Sequence, residues 1–371
     1  MWAAAAAVAA VAMPGAAQAG PSDAHAGTQA LLNQELQVAP GAAVLAGDAN
    51  GSWSLHAGTG QFGKNKPIQP TDHFRIGSQT KTFTAAVVLQ LVDEGKITLD
   101  TPIENYLPGV VDGNGYDGNQ ITIRELLQHR TGIPQLTEGG QPNPNTPDGS
   151  YSLSELVRTG LKAKPDSAPD TKFEYSNINF NILGLLIEKV TGKPVGDAIT
   201  QRVIQPLGLT DTSFPRGGDR ALPEPYIHGY VVFTVGPINT YLDWTTSVEP
   251  SFYSNAGGMI STMPDLAAFY RALADGKVVS PSALAEMRKT VPWPGGPSAG
   301  DAYGLGYSSH PLSCGGLAWG HGGNVLGYAT WTLTTDDGRY ATMTANNTRS
   351  VKDNAGNDNR ESILDSAICG H

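Results

Sequence analysis

Cysteine is almost absent: the 371 residues include two, Cys314 and Cys369. Neither stands in a Cys-x-x-Cys pair and no His-Glu-x-x-His segment occurs, so the spacings that announce a zinc centre are missing and no metal or other cofactor is implied. Charge is sparse as well. Charged residues make up 16% of the chain, Asp and Glu outnumber Lys and Arg by 34 to 24, and the net charge is −10. Without clustered Lys and Arg there is no electrostatic footprint for nucleic acid or for an anionic membrane surface. Long apolar runs are also missing. The stretch Met1 to Met13 is nearly all alanine and valine, but it is shorter than the roughly 20 residues a membrane span needs, so no stable membrane anchor is expected.

What is present first is a globular composition, 40% hydrophobic, enough for one large unit or two intimately joined ones with an ample core. The alanine-rich start leads to Ala17-Gln18-Ala19 before Gly20-Pro21-Ser22, the small-residue pattern of a signal-peptidase site, although no Lys or Arg precedes it. Residues 1–26 therefore read as a signal peptide and the protein as secreted; a disordered alanine-rich leader is the alternative. In an exported chain two distant cysteines most simply form one disulfide, and two buried thiols are the other possibility. A Cys314–Cys369 bond would close a loop of 55 residues, for which the chain-entropy model gives about 4 kcal/mol.

Strand signals lie at both ends of the chain. Ala43-Val44-Leu45-Ala46 and Ser52-Trp53-Ser54-Leu55-His56 flank a Gly47-Asp48-Ala49-Asn50-Gly51 turn, and Tyr328 to Thr334 and Tyr340 to Ala345 flank Asp336-Asp337-Gly338. Both pairs predict hairpins. Between them Ile121 to Leu127 and Asn179 to Val190 carry helical signals, and Glu138 to Gly149 reads as an exposed Pro/Gly/Asn-rich loop. This pattern predicts an α/β domain built from 27–130 and 251–371, with a helical insertion domain at 131–250.

The chemistry centres on Ser78-Gln79-Thr80-Lys81. Residues three apart share a helical face, so the Lys81 amine can reach the Ser78 hydroxyl without long-range help from the fold. Such a tetrapeptide should occur roughly once by chance in a chain of this length; its context carries more. Phe83, Val87, Val88, Leu91 and Val92 follow as an apolar stripe at helical spacing and Gly95 marks the stop, which puts Ser78 at the N-terminus of a buried helix. A plain N-cap serine followed by a surface lysine is the bland reading. Further on, Tyr175-Ser176-Asn177 offers a phenol that could ionise beside the lysine ammonium and shuttle a proton, and an amide to orient a substrate carbonyl. Tyr253-Ser254-Asn255 repeats that spacing, but the helical run from Phe180 to Gly192 favours the earlier triplet. Near the C-terminus, His321-Gly322-Gly323-Asn324 lets a strand edge approach a substrate closely, and the backbone NH groups of Asn324 and Ser78 would form an oxyanion hole. His-x-Gly also occurs at His25 and His56, so that triplet alone says little.

Ser-x-x-Lys, Tyr-x-Asn about a hundred residues on, and His-x-Gly near the end together resemble the serine β-lactamase and penicillin-binding protein family, in its class C branch with the soluble, secreted D-alanyl-D-alanine carboxypeptidases. His73 to Ser78, Leu91 to Lys96, Tyr106 to Gly109, Gln128 to Gly132, Tyr303 to Tyr307 and Leu312 to Gly315 also look like segments of that family. The resemblance implies a β-lactamase/DD-peptidase-like α/β (α+β) fold: an antiparallel sheet with helices on both faces plus an all-α insertion. It implies that Ser78 forms an acyl-enzyme with Lys81 and Tyr175 moving protons, that Asn177 holds the acyl-side amide, and that His321, Gly322, Gly323 and Asn324 line the substrate edge. His321 would supply the polar or cationic group for which a lysine is more usual. Expected partners are β-lactams and a small-molecule or peptidoglycan-derived peptide substrate, met by a monomer.

Departures from the family concentrate where a terminal carboxylate is held: threonines and an arginine are replaced by Gly322, Asn324 and the Ser308-Ser309-His310 stretch. Losing two charge-assisted contacts of about 1.5 to 3 kcal/mol each amounts to roughly a hundredfold to ten-thousandfold in kcat/KM. An esterase or D-amino-acid amidase is therefore the alternative to a D-alanyl-D-alanine carboxypeptidase, unless Arg339 or His310 restores the cation. A non-catalytic penicillin-recognising module is a further alternative.

Overall fold

Both predicted hairpins form, and they become the neighbouring strands of one sheet. The computed structural model describes residues 25–136, 142–236, 238–352 and 356–370; the predicted signal peptide lies outside these residues except for its last two positions, as does part of the predicted 138–149 loop. In chain order the strands are β1 (Gly41–Gly47), β2 (Ser52–Gly58), β3 (Phe74–Arg75), β4 (Asp112–Gly113), β5 (Tyr116–Asp117), β6 (Tyr230–Val235) and β7 (Ile238–Asp243). They continue with β8 (Ile260–Ser261), β9 (Val291–Pro292), β10 (Ala302–Tyr303), β11 (Ser308–Pro311), β12 (Leu317–Val325), β13 (Tyr328–Thr335) and β14 (Tyr340–Ala345). Eight of them make an antiparallel sheet in the order β2-β1-β14-β13-β12-β11-β10-β9. The first strands join the last through the pairing of β1 with β14, where Ala42 faces Ala345.

The period-2 alternation of β1 explains how the sheet is covered on both sides. Ala43 and Leu45 join a core that includes α2 (Thr80–Asp93), α3 (Ile123–Leu127), α5 (Asn177–Thr191), α7 (Pro250–Gly257), α8 (Met263–Ala274) and α9 (Pro281–Met287). Ala42, Val44 and Ala46 face a second core under α1 (Ala26–Glu35) and α10 (Asn359–Cys369). Cys314 and Cys369 are disulfide-bonded with Cα atoms 5.7 Å apart, which ties the turn between β11 and β12 to the end of α10. No described helix is long and apolar enough to cross a membrane.

Helix α2 ends as its sequence predicts, with Gly95 at φ +69° and the Lys96 amide returning to Leu91 O. It is buried, as its sequence predicts, and the burial extends beyond the apolar stripe. Every residue from Thr80 to Leu89 is buried, because the helix runs between the sheet and the helical region instead of along a surface. Its threonines are satisfied inside: Thr82 Oγ1 donates to Gly306 O at 2.8 Å and Thr84 Oγ1 to Asn255 O at 2.7 Å. The segment 131–250 holds α4 (Leu153–Gly160), α5 and α6 (Val195–Ile199), but it also contains the hairpin β6–β7. Val231, Val232, Phe233 and Thr234 are β-branched or aromatic and favour a strand there, so this part of the chain is not helical throughout.

Candidate active site

Ser78 sits in a single 3₁₀ turn, Gly77–Gln79, that feeds directly into α2. Gly77 has φ +53°, and a Cβ there would lie 2.7 Å from the backbone nitrogen of Asn324; a Cβ on Gly323 would meet Ile76 O at 1.9 Å. Both positions must be glycine for β12 to pass this close to the Ser78 turn. The predicted meeting of the first and last motifs thus rests on two absent side chains.

Lys81 is fully buried, and its Nζ contacts three oxygens: Ser78 Oγ at 3.0 Å, Asn177 Oδ1 at 2.7 Å and Ala256 O at 2.8 Å. Among the described residues no carboxylate offsets the loss of solvent, so burial pushes the amine well below the usual lysine range. The two carbonyl oxygens can only accept. A neutral amine therefore points its two hydrogens at Asn177 and Ala256 and leaves its lone pair toward Ser78 Oγ, the orientation a general base requires.

Tyr175 and Asn177 arrive on the lead-in to α5, whose N-cap Ser176 accepts from the Ile178 amide. Tyr175 lines the cleft with Ser78, and its ring centroid lies 4.8 Å from Lys81 Nζ. The expected easier ionisation is not found. Burial pushes the phenol above its ordinary value, more strongly than the neighbouring Ser78 hydroxyl lowers it, so Tyr175 stays a neutral phenol. Asn177 Oδ1 is occupied by the lysine, which leaves the amide nitrogen as its free donor. Of the rival triplet, Asn255 is buried and donates to Phe180 O at 2.6 Å, packing α7 on α5. Tyr253 lines the cleft wall.

His321 also lines the cleft, but not as a cation. Its Nδ1 bonds Gly322 O at 2.5 Å and its Nε2 bonds Tyr303 Oη at 2.8 Å. Because a carbonyl accepts, Nδ1 carries the proton and Tyr303 donates to Nε2. Burial, reinforced by the nearby lysine, pushes the imidazole down to about 3, so it stays neutral. The two proposed replacements for a missing cation lie elsewhere. His310 is enclosed by Asp301 and Glu361, and Arg339 pairs with Asp337 and donates to Ile368 O. Ser308 is buried and donates to Gly320 O.

The cleft in front of Ser78 has a volume of about 560 Å³. Tyr175, Asn177, His321, Gly322 and Asn324 line it together with Gln135, Leu136, Phe252, Tyr253, Trp293, Val325, Leu326 and Trp331, and no Lys, Arg, Asp or Glu is among its described lining residues. The sequence marks neither the Ala256 carbonyl, nor Tyr303, nor these aromatic residues as part of the site. A carbonyl carries no sequence signal; Trp293 and Trp331 are separated by strands that only the sheet brings together.

Residues 29–365 match the family model described as Beta-lactamase. Unguisins hydrolase ungD' from Aspergillus campestris is 30% identical over 329 residues, which cover 85% of this chain; the chain spans only 60% of that relative's length. Among solved structures, a D-stereospecific amidohydrolase from Streptomyces sp. superposes with a TM-score of 0.80 at 37% identity, covering 94% of this chain and 99% of the other. The D-amino acid amidase from Ochrobactrum anthropi SV3 superposes at 0.76 and 26% identity, covering 93% and 95%. With its family match running nearly end to end, this chain belongs to the β-lactamase family.

Proposed function

We propose that the protein is a secreted serine amidohydrolase that cleaves amide bonds of D-configured substrates whose leaving side is uncharged. The observation that carries this reading is the pairing of the Ser78–Lys81–Asn177–Ala256 cluster, built round a buried lysine, with a cleft that has no ionic side chain among its described lining residues. The amidohydrolase and amidase neighbours support the amide and the D configuration. In the reaction the Lys81 lone pair takes the Ser78 proton as Oγ attacks the carbonyl carbon. Developing negative charge on the carbonyl oxygen is met by the backbone NH groups of Ser78 and Asn324. The leaving amine receives a proton through Tyr175 and Lys81, and water then resolves the Ser78 ester with the same groups in reverse.

A D-alanyl-D-alanine carboxypeptidase would hold a terminal carboxylate, and the described lining of the cleft offers it only neutral donors. We therefore favour an amide or ester at that end over a free acid. The aromatic wall formed by Phe252, Tyr253, Trp293 and Trp331 favours a bulky apolar side chain. The test compares kcat/KM for an acyl-D-Ala-D-Ala peptide with that for its C-terminal amide, alongside Ser78→Ala and mass spectrometry after exposure to a fluorescent penicillin. We expect the amide to be favoured by at least about tenfold, a covalent adduct on Ser78, and an inactive alanine variant. A strong preference for the free acid would overturn the specificity; normal turnover by Ser78→Ala would overturn the enzyme.

A further inference from the structure

Behind the substrate-edge strand, three ionisable side chains meet away from the cleft. His310 on β11, Asp301 just before β10 and Glu361 in the first turn of α10 are 3%, 5% and 7% exposed. His310 Nδ1 lies 2.9 Å from both Asp301 Oδ1 and Glu361 Oε1, and the three atoms all lie within 4.8 Å of one another. The other ring nitrogen is already assigned. Ser308 Oγ donates to Gly320 O at 2.8 Å, so at its 2.8 Å contact with His310 Nε2 it must accept. Nε2 therefore carries a proton, and Nδ1 presents either a second proton or a lone pair to the two carboxylates.

We propose that Asp301, His310 and Glu361 form a structural binding site for a first-row divalent cation of the Zn²⁺ class, held by Nδ1, Oδ1 and Oε1. One nitrogen and two carboxylate oxygens are a donor set such ions accept, and neighbouring ligand atoms around them sit about 3 Å apart. The outer contacts are those a metal site needs: Ser308 fixes the imidazole tautomer, and Asp301 Oδ2 accepts from the Ser298 amide at 2.9 Å. A single Nδ1 proton cannot serve both carboxylates. Glu361 Oε1 is buried and lies 2.9 Å from the ring nitrogen without good hydrogen-bond alignment, and with both carboxylates ionised an imidazolium would leave the trio with one net negative charge. A dication on a neutral imidazole brings that charge to zero.

A cavity of about 780 Å³, lined in part by His310, Glu361, Ser298 and Asp365, provides an entry path and room for water to complete the coordination. Loading displaces one proton. Because the ion competes with a proton for Nδ1, affinity rises with pH. The ion would join β11 to α10, the helix that also carries Arg360.

The test is metal content of the purified full chain, followed by titration of chelator-treated protein with Zn²⁺ and with Co²⁺. We expect close to one ion per chain, visible ligand-field bands with Co²⁺, and a Tm raised by several degrees on Zn²⁺ addition. The isosteric Glu361→Gln should lose at least tenfold in affinity, and Ser308→Ala should weaken it by about tenfold to a hundredfold. Saturating Zn²⁺ that leaves Tm unchanged and Co²⁺ that gives no bands would overturn the site, as would unaltered binding by Glu361→Gln. The Ser78 adduct reports on the active site separately, so the two readings fail independently.

Discussion

Arg360 Nη1 donates to the side-chain oxygen of Asn324 at 2.9 Å. A guanidinium has nothing but donors, so the contact fixes which end of the Asn324 amide is used inside the protein and leaves the nitrogen for the cleft. Arg360 is itself 6% exposed and held by Asp358, the N-cap of α10. A helix on the far face of the sheet thus orients a donor on the rim of the cleft.

Asn324→Asp should keep the contact with Arg360 and lose the donor. One hydrogen bond of about 1 to 1.5 kcal/mol corresponds to a loss of roughly five- to tenfold in kcat/KM on an amide substrate. Thermal stability should stay near that of the parent, because the buried guanidinium keeps an acceptor. Steady-state kinetics on the purified variant decide the matter; undiminished kcat/KM would show that Asn324 does not donate to the substrate.

The glycine at 322 has a physical cause on the neighbouring strand. A Cβ there would lie 2.5 Å from Trp331 Cε3, so the indole occupies the space a larger residue at 322 would need. Gly322→Thr alone should therefore lower kcat/KM by at least about tenfold and also lower Tm, as overpacking costs of 1 to 3 kcal/mol imply. Combining it with Trp331→Val should recover much of the Tm and shift preference toward a free-acid substrate. A single variant with parental Tm would contradict the steric account.

Much of this arrangement was legible in the letters because the signals were local. Ser78 and Lys81 lie one helical turn apart, Gly95 and Gly192 close their helices with positive φ, and the β1–β2 and β13–β14 turns are written in Gly, Asp and Asn. What escaped reading depends on burial and on distant pairings. The protonation of Tyr175 and the neutrality of His321 follow from loss of solvent, which a motif does not record. The place of His310 was misjudged for the same reason: its partners Asp301 and Glu361 are remote in sequence and meet it only once β11 and α10 are packed.

The depressed Lys81 amine predicts a specific pH profile. The neutral base becomes available as pH rises through a pKa well below the usual lysine value of about 10.4. kcat/KM should climb with pH and level off before that ordinary value is reached. Lys81→Arg, which cannot release a proton, should lose at least about a hundredfold at every pH. A rate still rising in proportion to hydroxide near pH 10 would mean that Lys81 is not the base.

Acid stability tests the neutral state of His321. Its folded pKa is pushed down to about 3, chiefly by burial, against about 6.5 in an unfolded chain. Between those values the unfolded state binds the extra proton and the folded state does not. The stability tied to the neutral ring is therefore complete above about pH 6.5 and erodes as pH falls toward 3. His129, also fully buried and held well below the usual range, acts in the same direction. Tm should be nearly flat above pH 7 and fall steadily below 6.5. In His321→Gln, where the amide oxygen can accept from Tyr303, the slope between pH 6.5 and 4 should be shallower than in the parent. Carboxylates add to the acid loss in both proteins, so the difference between the two curves is the readout, and identical slopes would mean that His321 is already protonated in the fold.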